Sequence, residues 1–328
     1  MLEFLAASLK NGSNVERMSK TLILTGPTAT GKTGLALEML RQHDGHIEII
    51  NADSMLVYRG MDIGTAKPSA TDLREIPHHL VDIRNPDEPF TAGDFYRLVN
   101  AALLEIHARG NRALIVGGTS FYLKALLFGL WEGPGTSPEI RSELELFSNE
   151  ELYSELAGTD SVSATRIGRS DRYRLVRALE IICLSGKTPT ELENQIPKAA
   201  DPRFELWIID RDGSELEPRI LSRTRQMLDD GLIDEVKKLS QDYPRARALN
   251  AVGYAEVLRH LRDELPEGRK IKPGLPGLID EITLSTRQLV KSQRTWFRGF
   301  SKRVEARQFV LDRDHSLAIT EFQKFYSV

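Results

Sequence analysis

The chain has 328 residues, 41% of them hydrophobic and 28% charged, with a net charge of −3. That length and mix suit one large or two modest globular domains and exclude a disordered or fibrous chain. A slightly acidic balance excludes a protein that grips nucleic acid by bulk charge, so any such contact must rest on local basic patches.

Residues 1–20 read as an N-terminal extension without the basic and apolar pattern of a signal peptide. No apolar run nears the ~18 residues of a membrane span, so the expectation is a cytoplasmic protein. Thr21-Leu22-Ile23-Leu24-Thr25 reads as a fully buried strand. A glycine-bearing loop and a helix from Thr33 to Gln42 follow. Ile47 to Asn51 is a second strand. Thr91, with Asp94 three residues on, marks a helix start; Phe95, Leu98, Ala102 and Ile106 recur at helical spacing, and Gly110 ends the run. Ala113 to Val116 is a third strand closed by Gly117-Gly118. Strands alternating with helices predict a parallel sheet covered by helices.

The texture changes near Trp131. Gly133 to Pro138 is turn chemistry, and 139–195 read as helices without a strand. This predicts a helical insertion over 131–195 within a core of 21–130 and 196–328. Phe204 to Asp210 returns to the sheet, more helices follow, and Gln308 to Leu311 reads as a last strand. The single cysteine, Cys183, permits no internal disulfide; within Ile181-Ile182-Cys183-Leu184 it reads as core. Adjacent His78 and His79 are poorly spaced to chelate a metal.

Gly26-Pro27-Thr28-Ala29-Thr30-Gly31-Lys32-Thr33 matches G-x-x-x-x-G-K-[ST] between a strand and a helix, the context that makes a P-loop credible. Backbone N–H groups of such a loop curl around phosphate oxygens, and the helix N-terminus adds partial positive charge. Lys32 brings a full charge, and the Thr33 hydroxyl is a candidate Mg²⁺ ligand. Phosphate binding does not by itself mean ATP hydrolysis. The third strand ends in Val116-Gly117-Gly118-Thr119 without a carboxylate, and Asp53, beyond the second strand, is the only acid expected at a strand end near the loop. Ligands of open α/β sheets sit beyond those ends, so Asp53 is placed to meet a phosphate ligand's reactive end; the competing reading is an Asx-turn or helix cap. Residues 58–68 form a long irregular loop of the kind that often carries function.

Two basic stretches stand out. Arg166, Arg169, Arg172, Arg174 and Arg177 lie against one acid, Asp171, and read first as a solvated helix face. Arg287, Lys291, Arg294 and Arg298 are spaced to share one helix face, with no acid between Ile282 and Val304 and with Trp296 and Phe297 interleaved. That combination suits phosphate backbone and unstacked bases, with salt-bridged surface as the alternative.

These motifs converge on a family. GPTATGKT (26–33), NADSMLVYRGMDIGTAKP (51–68), PHHLVDI (77–83), VGGTSFYLKALLFGL (116–130), RYRLVRALEI (172–181), SGKTPTEL (185–192), VGYAEV (252–257) and TRQLVKSQRTWFRG (286–299) resemble the tRNA dimethylallyltransferases, or isopentenyl-diphosphate:tRNA transferases. The resemblance implies a P-loop NTPase-like core whose helical insertion grips the anticodon stem-loop. It implies transfer of a dimethylallyl group from dimethylallyl diphosphate to N6 of the adenosine 3′ of the anticodon, with Mg²⁺, by a monomer. Carried over by position, Thr28 to Thr33 looks like the diphosphate site and Asp53 the general base. Asp53, Ser54, Met55 and Leu56 look like tRNA contacts, and Thr119 lies near the reacting base. Arg141 and Tyr173-Arg174-Leu175-Val176-Arg177 match tRNA-contact positions. Arg223 resembles an arginine beside the diphosphate, ahead of Arg219 one turn earlier. Leu56 stands where many relatives carry Gln, so a side-chain hydrogen bond is not expected there. The readings left beside it are an adenylate isopentenyltransferase acting on a free nucleotide, a small-molecule P-loop kinase, and a non-catalytic RNA-binding protein.

Overall fold

The computed structural model describes residues 20–131, 133–264 and 272–327; the expected extension over 1–20 lies, apart from Lys20, outside them. The chain divides into two compact units, one running to Leu127 and resuming at Asp201, the other Phe128–Ala200. The span 131–195, expected as an insertion, falls inside the second.

The first unit is a six-stranded, all-parallel sheet. Its strands are β1 (Thr21–Thr25), β2 (Ile47–Asn51), β3 (His78–His79), β4 (Arg112–Gly117), β5 (Phe204–Asp210) and β6 (Ala306–Val310), in the order β3-β2-β4-β1-β5-β6. Every residue of β1 and β2 is buried, because helices cover both faces of a parallel sheet, and the continuous apolar runs follow from that. From β1 the chain crosses to β2 on one side, and β5 later adds on the other. The order therefore reverses around β1, and its C-terminal end is where the crevice of a doubly wound sheet opens.

Helix α1 (Lys32–Arg41) follows β1, starting one residue before the position read from periodicity. The short α2 is Ala70–Glu75. Helix α3 (Ala92–Ala108) begins on a reciprocal Thr91–Asp94 capping box and buries Phe95, Ala102 and Ile106, as its spacing predicted. Helix α4 (Ser120–Phe128) follows β4. β3 escaped the pattern reading, since two half-buried histidines paired with Ile49 and Ile50 carry no strand signal of their own.

The second unit holds five helices and, among its described residues, no strand: α5 (Pro138–Leu144), α6 (Asn149–Thr159), α7 (Ser161–Ile167), α8 (Arg172–Ser185) and α9 (Pro189–Glu193). Its small core joins Leu152, Leu156, Ala164, Leu175 and Leu179. Cys183 corrects the expectation that it is core: it is exposed. The apolar run 181–184 straddles the last turn of α8, where Ile181 faces inward while Leu184 is 40% exposed.

The first unit resumes with β5 and continues through α10 (Gly213–Asp229), α11 (Leu232–Asp242), α12 (Tyr254–Leu261), the 27-residue α13 (Gly274–Phe300), β6 and α14 (Leu311–Tyr326). One core packs α1 and α14 on the sheet through Leu24, Met39, Trp207 and Phe322. A second joins α10 to α13 with the long loop through Met61, Val236, Tyr254 and Ile282.

Candidate active site

The P-loop is held by backbone approaches that admit no side chain. A Cβ on Gly26 would lie 2.0 Å from the Ile209 carbonyl oxygen of β5. Gly31, at φ 92°, caps the N-terminus of α1 in the left-handed region that glycine occupies without strain. The Thr30 hydroxyl donates to the Pro27 carbonyl at 2.9 Å and closes the loop on itself. Lys32 and Thr33 then open α1, where unpaired N–H groups and the helix dipole favour an anion.

Asp53 lies beyond β2, which neighbours β4, itself a neighbour of β1. The strands come within steric limits at Gly117, where a Cβ would meet the Ala52 carbonyl carbon at 2.1 Å. The Asn51 side chain sets the turn: its amide donates to the carbonyls of Asp53 (2.9 Å) and Leu80 (3.0 Å), and its oxygen accepts the Asp53 N–H at 2.8 Å. One Asp53 carboxylate oxygen accepts the Met55 N–H at 2.9 Å, so the Asx-turn weighed as an alternative is also realised. The second oxygen has no protein hydrogen bond among the described residues. Thr119 joins this group: its hydroxyl accepts the Ser54 N–H at 2.9 Å and donates to Ser54 Oγ at 3.2 Å, and its own N–H reaches the Ala52 carbonyl.

The charges converge on the same place. Loss of water around its ammonium brings Lys32 down to about 8; the Asp53 carboxylate opposes that shift and Arg223 reinforces it. Desolvation likewise lowers Arg223, again against Asp53. Two cations and a carboxylate thus share one weakly hydrated region, an arrangement common at functional sites. A Cβ on Gly118 would stand 3.4 Å from Lys32 Nζ, which puts the ammonium at the end of β4. Arg219 donates to the Ala29 carbonyl at 3.3 Å. A cleft of about 930 Å³ is lined by Ala29 and Gly31 of the P-loop, Ile63 and Lys67 of the long loop, and Arg219 and Arg223 of α10.

Among the described residues no three His, Cys, Asp or Glu side chains form a metal cage. The Thr33 hydroxyl makes no protein hydrogen bond there. This donor set fits a hard cation that takes its remaining ligands from phosphate oxygens and water, as Mg²⁺ does.

Three sequence expectations need correction. Asp53 is not the only acid at a strand end near the P-loop. Asp210 ends β5 beside β1, and the sequence hid it because strand order is not readable from chain order. Its carboxylate is taken by Arg294 (2.8 Å) and by the Arg211 N–H (2.8 Å). The basic face of α13 is also partly neutralised from outside the helix: Arg294 pairs with Asp210, and Arg287 lies 3.5 Å from Glu217. Phe297 is buried, while Trp296 stacks on Phe300 with ring centroids 4.5 Å apart.

The third correction concerns the helical unit. Leu175 is fully buried and Val176 nearly so, hence neither side chain can reach a ligand. Arg141 and Arg177 both turn onto Glu180, which is 0% exposed and also accepts the Ser137 N–H. Burial alone would raise Glu180, but these hydrogen bonds outweigh it and hold it at about 2. Arg172 donates to the carbonyls of Glu145 and Phe147. Arg166 pairs with Glu193 and Arg169 with Glu150. Tyr173 is 64% exposed although its hydroxyl lies by Arg141, and Arg174, largely exposed, pairs with Asp171 one turn earlier at 3.3 Å.

Fold and site together define a P-loop protein with a carboxylate and a threonine placed beside that loop. The model of the IPP transferase family matches residues 56–300. A tRNA dimethylallyltransferase 1 from Citrifermentans bemidjiense is 40% identical over 286 residues, covering 86% of this chain and 90% of the relative. One from Trichlorobacter lovleyi is 42% identical over 287 residues, covering 85% and 91%. The full-length tRNA isopentenylpyrophosphate transferase of Bacillus halodurans superimposes with a TM-score of 0.65 at 33% identity, covering 94% of this chain and 96% of that one. A eukaryotic dimethylallyltransferase acting on tRNA, 24% identical with a TM-score of 0.75, shares the fold. The chain belongs to the IPP transferase family.

Proposed function

We propose that this protein transfers a dimethylallyl group from dimethylallyl diphosphate to N6 of the adenosine immediately 3′ of the anticodon in tRNA, releasing diphosphate. The observation that carries the reading is the meeting of Lys32 and Arg223 with Asp53 at the end of a P-loop: a site for a departing diphosphate next to a proton acceptor. The relatives named tRNA dimethylallyltransferase favour tRNA over a free nucleotide as acceptor.

The residues divide the work. Thr28 to Thr33 hold the diphosphate, with backbone N–H groups beyond Thr28 facing it, since the Thr28 N–H is itself given to Gln293 Oε1. Lys32 and Arg223 stabilise the negative charge it gathers as the allylic C–O bond breaks, an effect strongest in a poorly hydrated site. Thr33 would hold Mg²⁺, which would supply Lewis-acid stabilisation of the leaving diphosphate. N6 of adenine is a weak nucleophile because its lone pair is delocalised into the ring, and the free oxygen of Asp53 takes its proton as the C–N bond forms. The Thr119 hydroxyl, fixed by Ser54, orients the base. Asp53 to Leu56 lie along the base's path, with Leu56 offering backbone only.

The base has to leave its stack to react, at a cost of a few kcal/mol. Contacts to the RNA backbone offset that cost. Tyr173 and Arg174 of the helical unit supply them, and so does a groove of about 690 Å³ on the core unit lined by Lys124, Lys291, Trp296 and Arg303. Arg141 and Arg177 act one step back, by holding α5 and α8 together through Glu180. The protein works as a cytoplasmic monomer, and no helix among the described residues is long and apolar enough to cross a membrane.

The test is incubation with tRNA, dimethylallyl diphosphate and Mg²⁺, followed by mass analysis of the nucleosides. An added C5H8 on one adenosine per tRNA supports the reading. Prenylation of AMP instead, or phosphate transfer from ATP, would replace it.

A further inference from the structure

Helix α13 attracts notice for its cations, yet the residue that hydrogen-bonds it directly to the P-loop is neutral. Gln293 Oε1 accepts the Thr28 N–H at 2.9 Å, and Gln293 Nε2 donates to the Gly118 carbonyl at 3.1 Å. The orientation is fixed by chemistry: Thr28 offers a donor and Gly118 an acceptor, so only one setting of the side-chain amide satisfies both. Gln293 lies 265 residues from Thr28 and 175 from Gly118 in the chain, and one side chain spans the two strand ends. The neighbouring Arg294 fastens the same helix to Asp210 and to the Arg211 carbonyl, while Arg211 Nε donates to the Thr30 carbonyl at 2.8 Å. Two successive residues of α13 therefore hold two points of the phosphate loop, directly at Thr28 and through Arg211 at Thr30.

We propose that Gln293 is a positioning residue for the transfer reaction, fixing the distance between the diphosphate cradle and the acceptor pocket. This rests on the functional reading above. Thr28 belongs to the loop that holds the leaving group, and Gly118 precedes Thr119, whose hydroxyl is tied to Ser54 beside Asp53. Donor carbon and acceptor nitrogen have to be held about 3–3.5 Å apart and in line for attack. β1 and β4 already pair as far as Thr25 and Gly117, where the Thr25 hydroxyl donates to the Gly117 carbonyl at 2.7 Å; the Gln293 bridge carries that register one step further, into the loops that follow the two strands. A hydrocarbon side chain cannot replace the bridge. A carboxylate replaces half of it, because it accepts from Thr28 but cannot donate to Gly118.

The experiment compares wild type, Gln293→Leu and Gln293→Glu in steady-state prenylation of tRNA with dimethylallyl diphosphate varied, alongside thermal melting. Gln293→Leu is expected to lose about tenfold or more in kcat while the donor KM stays within about threefold, the signature of a contact that acts in the transition state. Gln293→Glu is expected to lose kcat as well and to raise the donor KM, because it places negative charge at the diphosphate loop. Both should melt within about 3 °C of wild type. An unchanged kcat in Gln293→Leu overturns the proposal. So does a lower donor KM at unchanged kcat, which would show that Gln293 merely occupies an amide the donor wants. A kcat loss matched by a large drop in melting temperature in both variants assigns Gln293 to the fold and overturns it too. With wild-type transfer intact and Gln293→Leu unaltered, the positioning role alone falls and the function stands.

Discussion

Raising the pH from 7.5 to 9.5 strips a proton from Lys32 if its ammonium is as poorly hydrated as the structure has it. The ordinary lysine value of 10.5 falls to about 8 here, through desolvation against the pull of Asp53 and with the push of Arg223. In the free enzyme, about 30-fold fewer molecules would carry the charged form at pH 9.5 than far below pH 8; an unshifted lysine would lose only about a tenth. The sign follows from the ligand. A diphosphate stabilises the ammonium and raises its pKa on binding, so the proton is already in place at pH 7 and has to be acquired at pH 9.5. A phosphate ester's own last ionisation, with a pKa near 6, is complete in this range. The assay is kcat/KM for dimethylallyl diphosphate at saturating tRNA, which reports ionisations of the form that captures donor. It should fall about tenfold per pH unit above pH 8. Lys32→Arg, which cannot titrate here, should be less active but lack this limb, and Arg223→Gln should move the limb to higher pH. A wild-type profile level to pH 9.5, or one whose alkaline limb survives in Lys32→Arg, would refute the reasoning.

Asp53→Asn should lower kcat by about 10²–10⁴-fold with tRNA affinity near normal in a filter-binding measurement; full turnover would remove Asp53 as the base. Glu180→Ala should destabilise the helical unit by about 3–5 kcal/mol, because two arginines lose a buried counter-charge, seen as a lower midpoint in urea monitored by a probe placed in that unit. The pH dependence has a definite sign: Glu180 is held at about 2 against an ordinary 4.5, so its contribution, about 3 kcal/mol, is present above pH 4.5 and is lost as pH falls toward 2. Tyr173→Ala with Arg174→Ala should weaken tRNA binding and make its salt slope shallower by about one, without changing the melting temperature. Arg177→Ala should instead lower stability first, and equal stability of the two variants would contradict the division drawn here.

Much of the site was legible because its chemistry is local. Gly26 to Thr33 carries the phosphate cradle within eight consecutive residues, and the Thr91–Asp94 capping box and the apolar runs of β1, β2 and β5 encode their own conformations. What failed were statements about partners distant in the chain. Arg141 and Arg177 look like free cations until Glu180 is seen between them. Arg294 looks unneutralised because Asp210 is 84 residues away. Leu175 and Val176 sit beside Tyr173 and Arg174 in sequence but a fraction of a helical turn separates core from solvent. Gln293 lay inside a family-like stretch, but nothing singled it out, since a neutral amide among cations has no charge pattern to betray it.

The sequence by itself determined the P-loop, the parallel alternation of strands and helices, and the family, because these depend on backbone propensity and on motifs contiguous in the chain. The tertiary structure decided which charges are spent inside the protein and which remain for a ligand. Charge pairing depends on distances of a few ångströms between residues often tens of positions apart, set by strand order β3-β2-β4-β1-β5-β6 in the sheet unit and by helix packing in the other, which spacing along a chain cannot do.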